Sequence, residues 1–377
     1  AHAVRQQRRE GRAGDLAVLF DRDDRFLAVG LYDPASPIRV RVLQHGTPAV
    51  IDRAWLGERL HTAHARREPL LSERTTGYRV VHGENDALPG LVVDRYGDAL
   101  VVKLYTAAWV PYLRDVVEVL LEMLAPARIV LRLSRAARAA PEALHGLEEG
   151  MLLHGPALEG PVRFEENGLA FEADLVKGQK TGFFLDQRDN RARVERLAAG
   201  RRVLNVFAYT GGFSLYAARG GARAVTSLDL SGPALAAAER NFAHNQGDTA
   251  LVAARHDVLH GDAFELLAEL GRGGERYDMV ILDPPAFAKA EAEIDGALRS
   301  YERLVRLGVG VLAPGGVLVA ASCSSRIDAD TFAQTVTDAA RAARRPLILL
   351  EQTGHALDHP IGFAEGAYLK CIFATAA

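Results

Sequence analysis

The C-terminal half of the chain carries the pattern that most restricts its fold. From about Arg188 onward four short apolar runs recur, VLNVFA, AVTSLDL, YDMVILD and GVLVAAS, separated by helix-length segments such as Gly232 to Asn241 and Asp295 to Leu312. Runs this apolar and this short are strands covered on both faces. Strands alternating with helices make a parallel sheet with helices on either side. Ligands of such sheets bind beyond the carboxyl ends of the strands. The residues that follow each run are therefore where chemistry is expected.

The preceding half reads differently. At 377 residues the chain exceeds one ordinary core. Up to about residue 65, GDLAVLFD, RFLAVGLYD and IRVRVLQH read as short strands of a small barrel or sandwich, followed by a helix from about Asp52 to Arg67. Next, Tyr78 to Val81 and LPGLVVDRYGDALVVKLY read as strands, with a hairpin at Tyr96-Gly97-Asp98 and a helix near Tyr112 to Leu124. A further pair of strands, around Val162–Phe164 and Leu169–Asp174, is joined by Asn167-Gly168, residues that accept the positive φ of a tight hairpin. The expected divisions are 1–67, 72–175 and 176–377.

Bulk composition excludes more than it selects. Hydrophobic residues at 49% and charged residues at 25% fit a globular chain. No apolar run approaches the length of a membrane span, and the start AHAVRQQRREGRAGD lacks the apolar core of a secretory signal. With two cysteines no disulfide framework is expected, and a reducing cytoplasm is. The net charge of −3 does not advertise a nucleic-acid partner, although Arg5, Arg8, Arg9 and Arg12 make the first stretch basic. The histidines are scattered, and His355 with His359 lack the companions of a zinc site, so no metal is expected.

The first strand runs into Phe207-Ala208-Tyr209-Thr210-Gly211-Gly212, and glycines at such a turn let a ligand approach the backbone. The second strand ends at Asp229, followed by Leu230-Ser231, where an acid can accept hydrogen bonds from both ribose hydroxyls of an adenosine. Gly261-Asp262-Ala263 follows the third strand, where Asp262 can hold an adenine amino group. A dinucleotide-dependent oxidoreductase shares the acid spacing but needs a fuller glycine fingerprint.

The fourth strand ends in Asp283-Pro284-Pro285-Ala286-Phe287. Two prolines cannot extend a ladder, so they set a rigid loop that holds Asp283 at the sheet edge. There a carboxylate can bind the polar edge of a flipped-out base, with Pro284, Pro285 and Phe287 against its face. The fifth strand runs into Ser322-Cys323-Ser324-Ser325. A lone cysteine is generically an inert side chain, but Cys323 shares its edge with Gly211, Asp229 and Asp283, whereas Cys371 sits in the apolar run AYLKCIFATAA and reads as core. Cysteine plus acid suits carbon-5 methylation of a pyrimidine. A thiolate adding to carbon 6 makes carbon 5 nucleophilic, and Asp283 holds or protonates the ring nitrogen.

At these residues the chain resembles the PUA-domain-containing 5-methylcytosine methyltransferases of bacterial large-subunit ribosomal RNA. The strongest match is GQKTGFFLDQRDNR, residues 178–191, followed by NVFAYTGGFSLYAA, SLDLS, ILDPPAF and SCSS. The tail DHPIGFAEGAYLKC, the stretch ENDALPGLVVDRYGD and the run GDLAVLFDRDDRFLAVGLYDPASPIRVRVL extend the resemblance over nearly the whole chain. It implies an α/β fold: a Rossmann-like class I methyltransferase domain with an N-terminal PUA-like β-barrel and a small central α+β domain. It implies S-adenosylmethionine as cofactor and 23S ribosomal RNA as partner. Cys323 is implied as the nucleophile and Asp283 as the ligand of the base edge. Lys180, Thr181, Phe183, Gln187 and Arg188 are implied to wall the cofactor site beside Phe207, Tyr209, Thr210, Gly211, Asp229, Leu230, Ser231, Gly261, Asp262 and Ala263. The chain departs from the family before Gly14, where the family's extra first strand has no counterpart.

Two other readings remain open at this point. An N-methyltransferase of an exocyclic guanine or adenine amine uses a similar acid-proline loop without a thiol. A non-catalytic RNA-binding protein would keep the folds as a clamp. The modified nucleotide cannot be read from the residues, and of closed assemblies a homodimer is the commonest.

Overall fold

The computed structural model describes residues 6–71, 74–288 and 290–377, so Arg5 and Lys289 lie outside the described residues. The chain forms two compact units, Ala1–Leu185 with Leu357–Gly362, and Asp186–Ala356 with Phe363–Ala377.

The first unit opens with β1 (Leu16–Phe20), β2 (Phe26–Tyr32) and β3 (Val40–His45), an antiparallel three-stranded sheet. Three strands are too few to own a core. Val29, Leu31 and Leu43 instead join Trp55, Leu56 and Leu60 of the helix Arg53–Ala65 in one cluster with the strands that follow. Those strands are β4 (Gly77–His82), β5 (Leu91–Tyr96), β6 (Ala99–Leu104), β7 (Arg128–Leu133) and β8 (Leu152–His154). They pair in the order β4-β5-β6-β7-β8, with only the β6–β7 pair parallel. The segments expected as separate domains therefore share a core.

A hairpin of β9 (Val162–Glu166) and β10 (Leu169–Ala173) turns at Asn167 and Gly168, with φ of 48° and 77°. Both turn residues are left-handed, as the Asn-Gly pair leads one to expect. Residues 176–185, expected with the C-terminal domain, pack in the first unit. The Thr181 hydroxyl donates to buried Asp94 at 2.6 Å, and Phe183 lies against Phe164 and Phe171. The late segment Leu357–Gly362 joins this unit too. Asp358 accepts from the Arg79 amide at 2.7 Å through its carboxylate and from Arg67 at 3.0 Å through its carbonyl. Arg67 and Asp86 form a 2.6 Å ion pair with no exposed side-chain surface. Removing either partner would strand a buried charge.

The second unit contains β11 (Arg202–Val206), β12 (Ala224–Asp229), β13 (Arg255–His260), β14 (Tyr277–Leu282), β15 (Leu312–Ser322), β16 (Leu347–Thr353) and β17 (Lys370–Ala376). Their order is β13-β12-β11-β14-β15-β17-β16. The first five run parallel, and β17 returns antiparallel between β15 and β16. The expected parallel sheet thus gains two strands in which β17 runs antiparallel to both its neighbours. The terminal run KCIFATA is buried along most of its length because it fills the slot between two strands. Tyr301, Leu304 and Val305 of the helix Ile294–Gly310 and Phe332 and Val336 of the helix Ala329–Ala342 join the sheet in this unit's core.

A polar thread crosses the sheet on the β11 side. Asn205 donates to the Ser214 hydroxyl at 2.9 Å, Ser214 and Ser227 hydroxyls lie 2.7 Å apart, and Ser227 is 2.9 Å from His256 Nε2. The Phe242 ring stacks on His256 at 3.8 Å. Burial holds this imidazole down at about 4, against 6.5 for an exposed one. Between those values the unfolded chain binds more protons than the native state, so stability falls as pH drops from 6.5 toward 4. The full loss is about 3 kcal/mol. Urea midpoints at about pH 7 and about pH 5 should show a smaller decline for His256→Asn than for the wild type. Equal declines would remove His256 as the cause.

Candidate active site

The carboxyl ends of the five parallel strands carry the loops singled out in the sequence. Beyond β11, Phe207, Tyr209 and Gly211 all have positive φ, at 62°, 48° and 79°. Left-handed aromatic residues cost on the order of 1 kcal/mol or more each, and such strain persists only where neighbours over-determine it. Here they do. Tyr209 donates its amide to Asp229 Oδ2 at 2.8 Å, Ala208 donates to the Leu228 carbonyl at 2.9 Å, and buried Asn241 holds the Thr210 carbonyl at 2.8 Å. A Cβ on Gly211 would stand 2.8 Å from the Ala238 methyl, so glycine is required for conformation and for space.

Asp229 Oδ1 also accepts the Ser231 amide, at 2.8 Å. Each carboxylate oxygen thus holds one backbone donor and keeps capacity for another. Ser231 caps the helix Gly232–His244, and the Leu230 side chain, 69% exposed, stands between them. After β13 and Gly261, Asp262 caps the helix Ala263–Arg272, both backbone donors falling on Oδ1. Its cap role and an adenine contact through Oδ2 are compatible.

Adenosine chemistry fits these residues. Thr210 is 7% exposed and its hydroxyl has no hydrogen-bond partner among the described residues. A buried unsatisfied hydroxyl costs about 1 to 3 kcal/mol, which a polar ligand can recover. Thr210→Val should therefore leave stability within about 1 kcal/mol while weakening S-adenosylhomocysteine binding about tenfold. Paired thermal and calorimetric titrations decide it. Unchanged affinity would mean that the hydroxyl does not face the ligand.

Past β14, Pro284 is buried and Pro285 exposed. Asp283 Oδ1 accepts from Gln187 Nε2 at 3.0 Å, Gln187 Oε1 accepts from Asn190 at 2.6 Å, and Asn190 Oδ1 accepts from the Thr353 hydroxyl at 2.6 Å. This relay orients Asp283 from two distant segments. The ring of Phe287, expected against a base, packs on Tyr301 at 4.8 Å and so supports the loop from the core side.

Cys323, half-buried, follows β15 between buried Ser322 and Ser324. Ser322 meets the Tyr301 hydroxyl at 2.8 Å, and the Ser324 hydroxyl donates to the Ala288 carbonyl at 3.0 Å. Burial pushes Tyr301 up to about 12, so it stays neutral beside the thiol. Cys371 is fully buried, and burial pushes its thiol well up.

Of the residues expected at the site, those from Gln187 onward belong to the second unit. Arg188 is fully buried at the start of the helix Arg188–Leu197. Lys180, Thr181 and Phe183 belong to the first unit, where each has structural partners. Lys180 accepts from Lys103 through its carbonyl and places its ammonium 4.5 Å from the Phe184 ring centre. His355 and His359 also part company. His355 in the second unit accepts the Leu369 amide at 3.1 Å, while His359 in the first lies beside Asp358 and His82. Sequence reasoning missed Asn190, Asn241, Tyr301 and Thr353. Asn241 alone left a signal, a polar residue on the helix face that buries Ala234, Leu235, Ala237 and Ala238.

A profile for S-adenosylmethionine-dependent methyltransferases matches residues 148–360, and one for PUA-like domains matches residues 1–45. A ribosomal RNA large subunit methyltransferase of Deinococcus radiodurans is 52% identical over 98% of this chain and 91% of its own length. Ribosomal RNA large subunit methyltransferase I of Aeromonas salmonicida is 40% identical over 95% of this chain and 89% of its own. Among solved structures, a chain described as a methyltransferase complexed with SAH superimposes with a TM-score of 0.82 at 23% identity, covering 97% of this chain and 92% of that one. The orphaned Thr210 hydroxyl, the strained loop before Gly211 and the Asp229 carboxylate stand in the region that the first profile spans, and the chain belongs to the S-adenosylmethionine-dependent ribosomal RNA large-subunit methyltransferase family.

Proposed function

We propose that the protein transfers a methyl group to carbon 5 of a cytosine in 23S ribosomal RNA through a covalent adduct with Cys323. The observation that carries this reading is the pairing of a thiol and an acid on adjacent strand ends, Cys323 after β15 and Asp283 after β14. The relatives named as large-subunit methyltransferases support the choice of RNA.

The loop Phe207–Gly211, Asp229 through Ser231, Gly261 through Ala263, and Gln187 with Arg188 would hold the cofactor. Bound S-adenosylmethionine supplies an electrophilic methyl group. The target base leaves its stack and meets Pro284 and Pro285, with Phe287 propping the loop. Cys323 as thiolate forms a bond to carbon 6, and Asp283, aligned by Gln187, steadies the ring nitrogen as charge collects there. Carbon 5 takes the methyl group, loses its proton to a base, and the sulfur–carbon 6 bond breaks to return the thiolate.

The test is methyl-labelled S-adenosylmethionine with unmodified 23S RNA, followed by digestion and mass spectrometry of nucleosides. Label in 5-methylcytidine is expected. Label in a methylated exocyclic amine would replace this reading with amine methylation. Absence of label from every nucleoside, with cofactor bound, would favour the non-catalytic clamp.

A further inference from the structure

Lysine is scarce in this chain, five residues among 45 basic ones, and one of the five is spent in the interior. Lys370 is 2% exposed at the start of β17, where antiparallel pairing sets it opposite Ser322, the residue before Cys323. Its ammonium donates to the carbonyls of Ser324 and Ile327. Those two bonds tie down both ends of the turn between Cys323 and Asp328, the cap of the helix Ala329–Ala342. An ammonium has three protons, and neither bond is to an anion. Among the described residues no carboxylate forms an ion pair with it.

An isolated buried cation is costly, and the cost is tolerated where an anion is generated nearby. We propose that Lys370 is a positioning residue for the reaction. It fixes the turn that carries Cys323, and its charge favours the thiolate over the thiol.

Tyr301, Asp283 and Asp328 do not supply this effect. Tyr301 is neutral, and Asp283 and Asp328 are acids, which oppose a thiolate. Burial draws the Lys370 ammonium down to about 8, while the charges of Cys323 and Asp328 act in the opposite sense. That coupling is reciprocal: a thiolate that holds a proton on Lys370 is itself stabilised by it.

The inference rests on Cys323 being the nucleophile, but its test does not require turnover. The rate of Cys323 alkylation by iodoacetamide would be followed against pH in the full chain without RNA, with the modified peptide identified by mass. Fully buried Cys371 serves as the internal control. The wild-type midpoint is expected below the ordinary thiol value of about 8.5. Lys370→Met should raise it by about one unit, making alkylation near pH 7 about tenfold slower, and Lys370→Arg should restore much of the shift. The acid limb of kcat against pH should move with it, while S-adenosylhomocysteine affinity stays constant and reports an intact fold. A wild-type midpoint at or above the ordinary value would overturn the proposal without any variant. So would a Lys370→Met profile that superimposes on the wild type. Should Cys323→Ala retain methylation while the alkylation shift persists, the nucleophile assignment falls and the electrostatic coupling stands.

Discussion

Cys323→Ala is expected to abolish methyl transfer, lowering kcat by about 10⁴-fold or more, because no second thiol at the sheet edge can replace it. The effect should fall on the chemical step alone. Cys323 follows β15, whereas the loops proposed to hold the cofactor follow β11, β12 and β13, so S-adenosylhomocysteine affinity should be unchanged. Single-turnover transfer to 23S RNA, read as labelled 5-methylcytidine, is the measurement. A variant that still labels RNA at a comparable rate would exclude the adduct and turn attention to amine chemistry held by Asp283. Denaturing gels add an independent readout, since an RNA–protein adduct should form with the wild type and not with the variant.

Asp229→Ala should weaken S-adenosylhomocysteine binding about 100-fold, from the loss of the two hydrogen bonds proposed with ribose hydroxyls, at about 1.5 kcal/mol or more each. A second loss accompanies it. The carboxylate also anchors the Tyr209 and Ser231 amides, and without it the strained loop before Gly211 is less determined. Stability should therefore fall by about 1 to 2 kcal/mol. Asp229→Asn is the sharper probe, because its amide can accept from only one of those backbone donors. Titration calorimetry together with urea unfolding separates the two effects. Affinity within a few-fold of wild type, with stability reduced, would leave Asp229 a purely structural acid.

Much of the second unit was legible from residues alone, for a specific reason. Strands covered on both faces must be apolar along their length, so VLNVFA, YDMVILD and GVLVAAS announce themselves. The loops at their carboxyl ends then follow from chain order. Asn167-Gly168 was legible because its turn is decided by two residues with positive φ. The antiparallel return of β17 was not, since burial marks a strand as interior without giving its direction. Nor was the core that the N-terminal strands share with the central sheet. LAVLF and FLAVGLY look the same in a closed barrel and in a sheet that borrows its core.

Local chemistry was therefore written in the sequence: a glycine turn, acids at strand ends, a proline pair that stops β14, and a cysteine among serines. Tertiary structure alone decided what stands behind them. Thr353 reaches Asp283 through Asn190 and Gln187 across 163 and 96 positions of chain. Lys370 reaches the turn after Cys323 across 46. Periodicity and spacing report on neighbours along the chain, whereas hydrogen bonds and charges act through space, and only the packed sheet brings those residues within their short range.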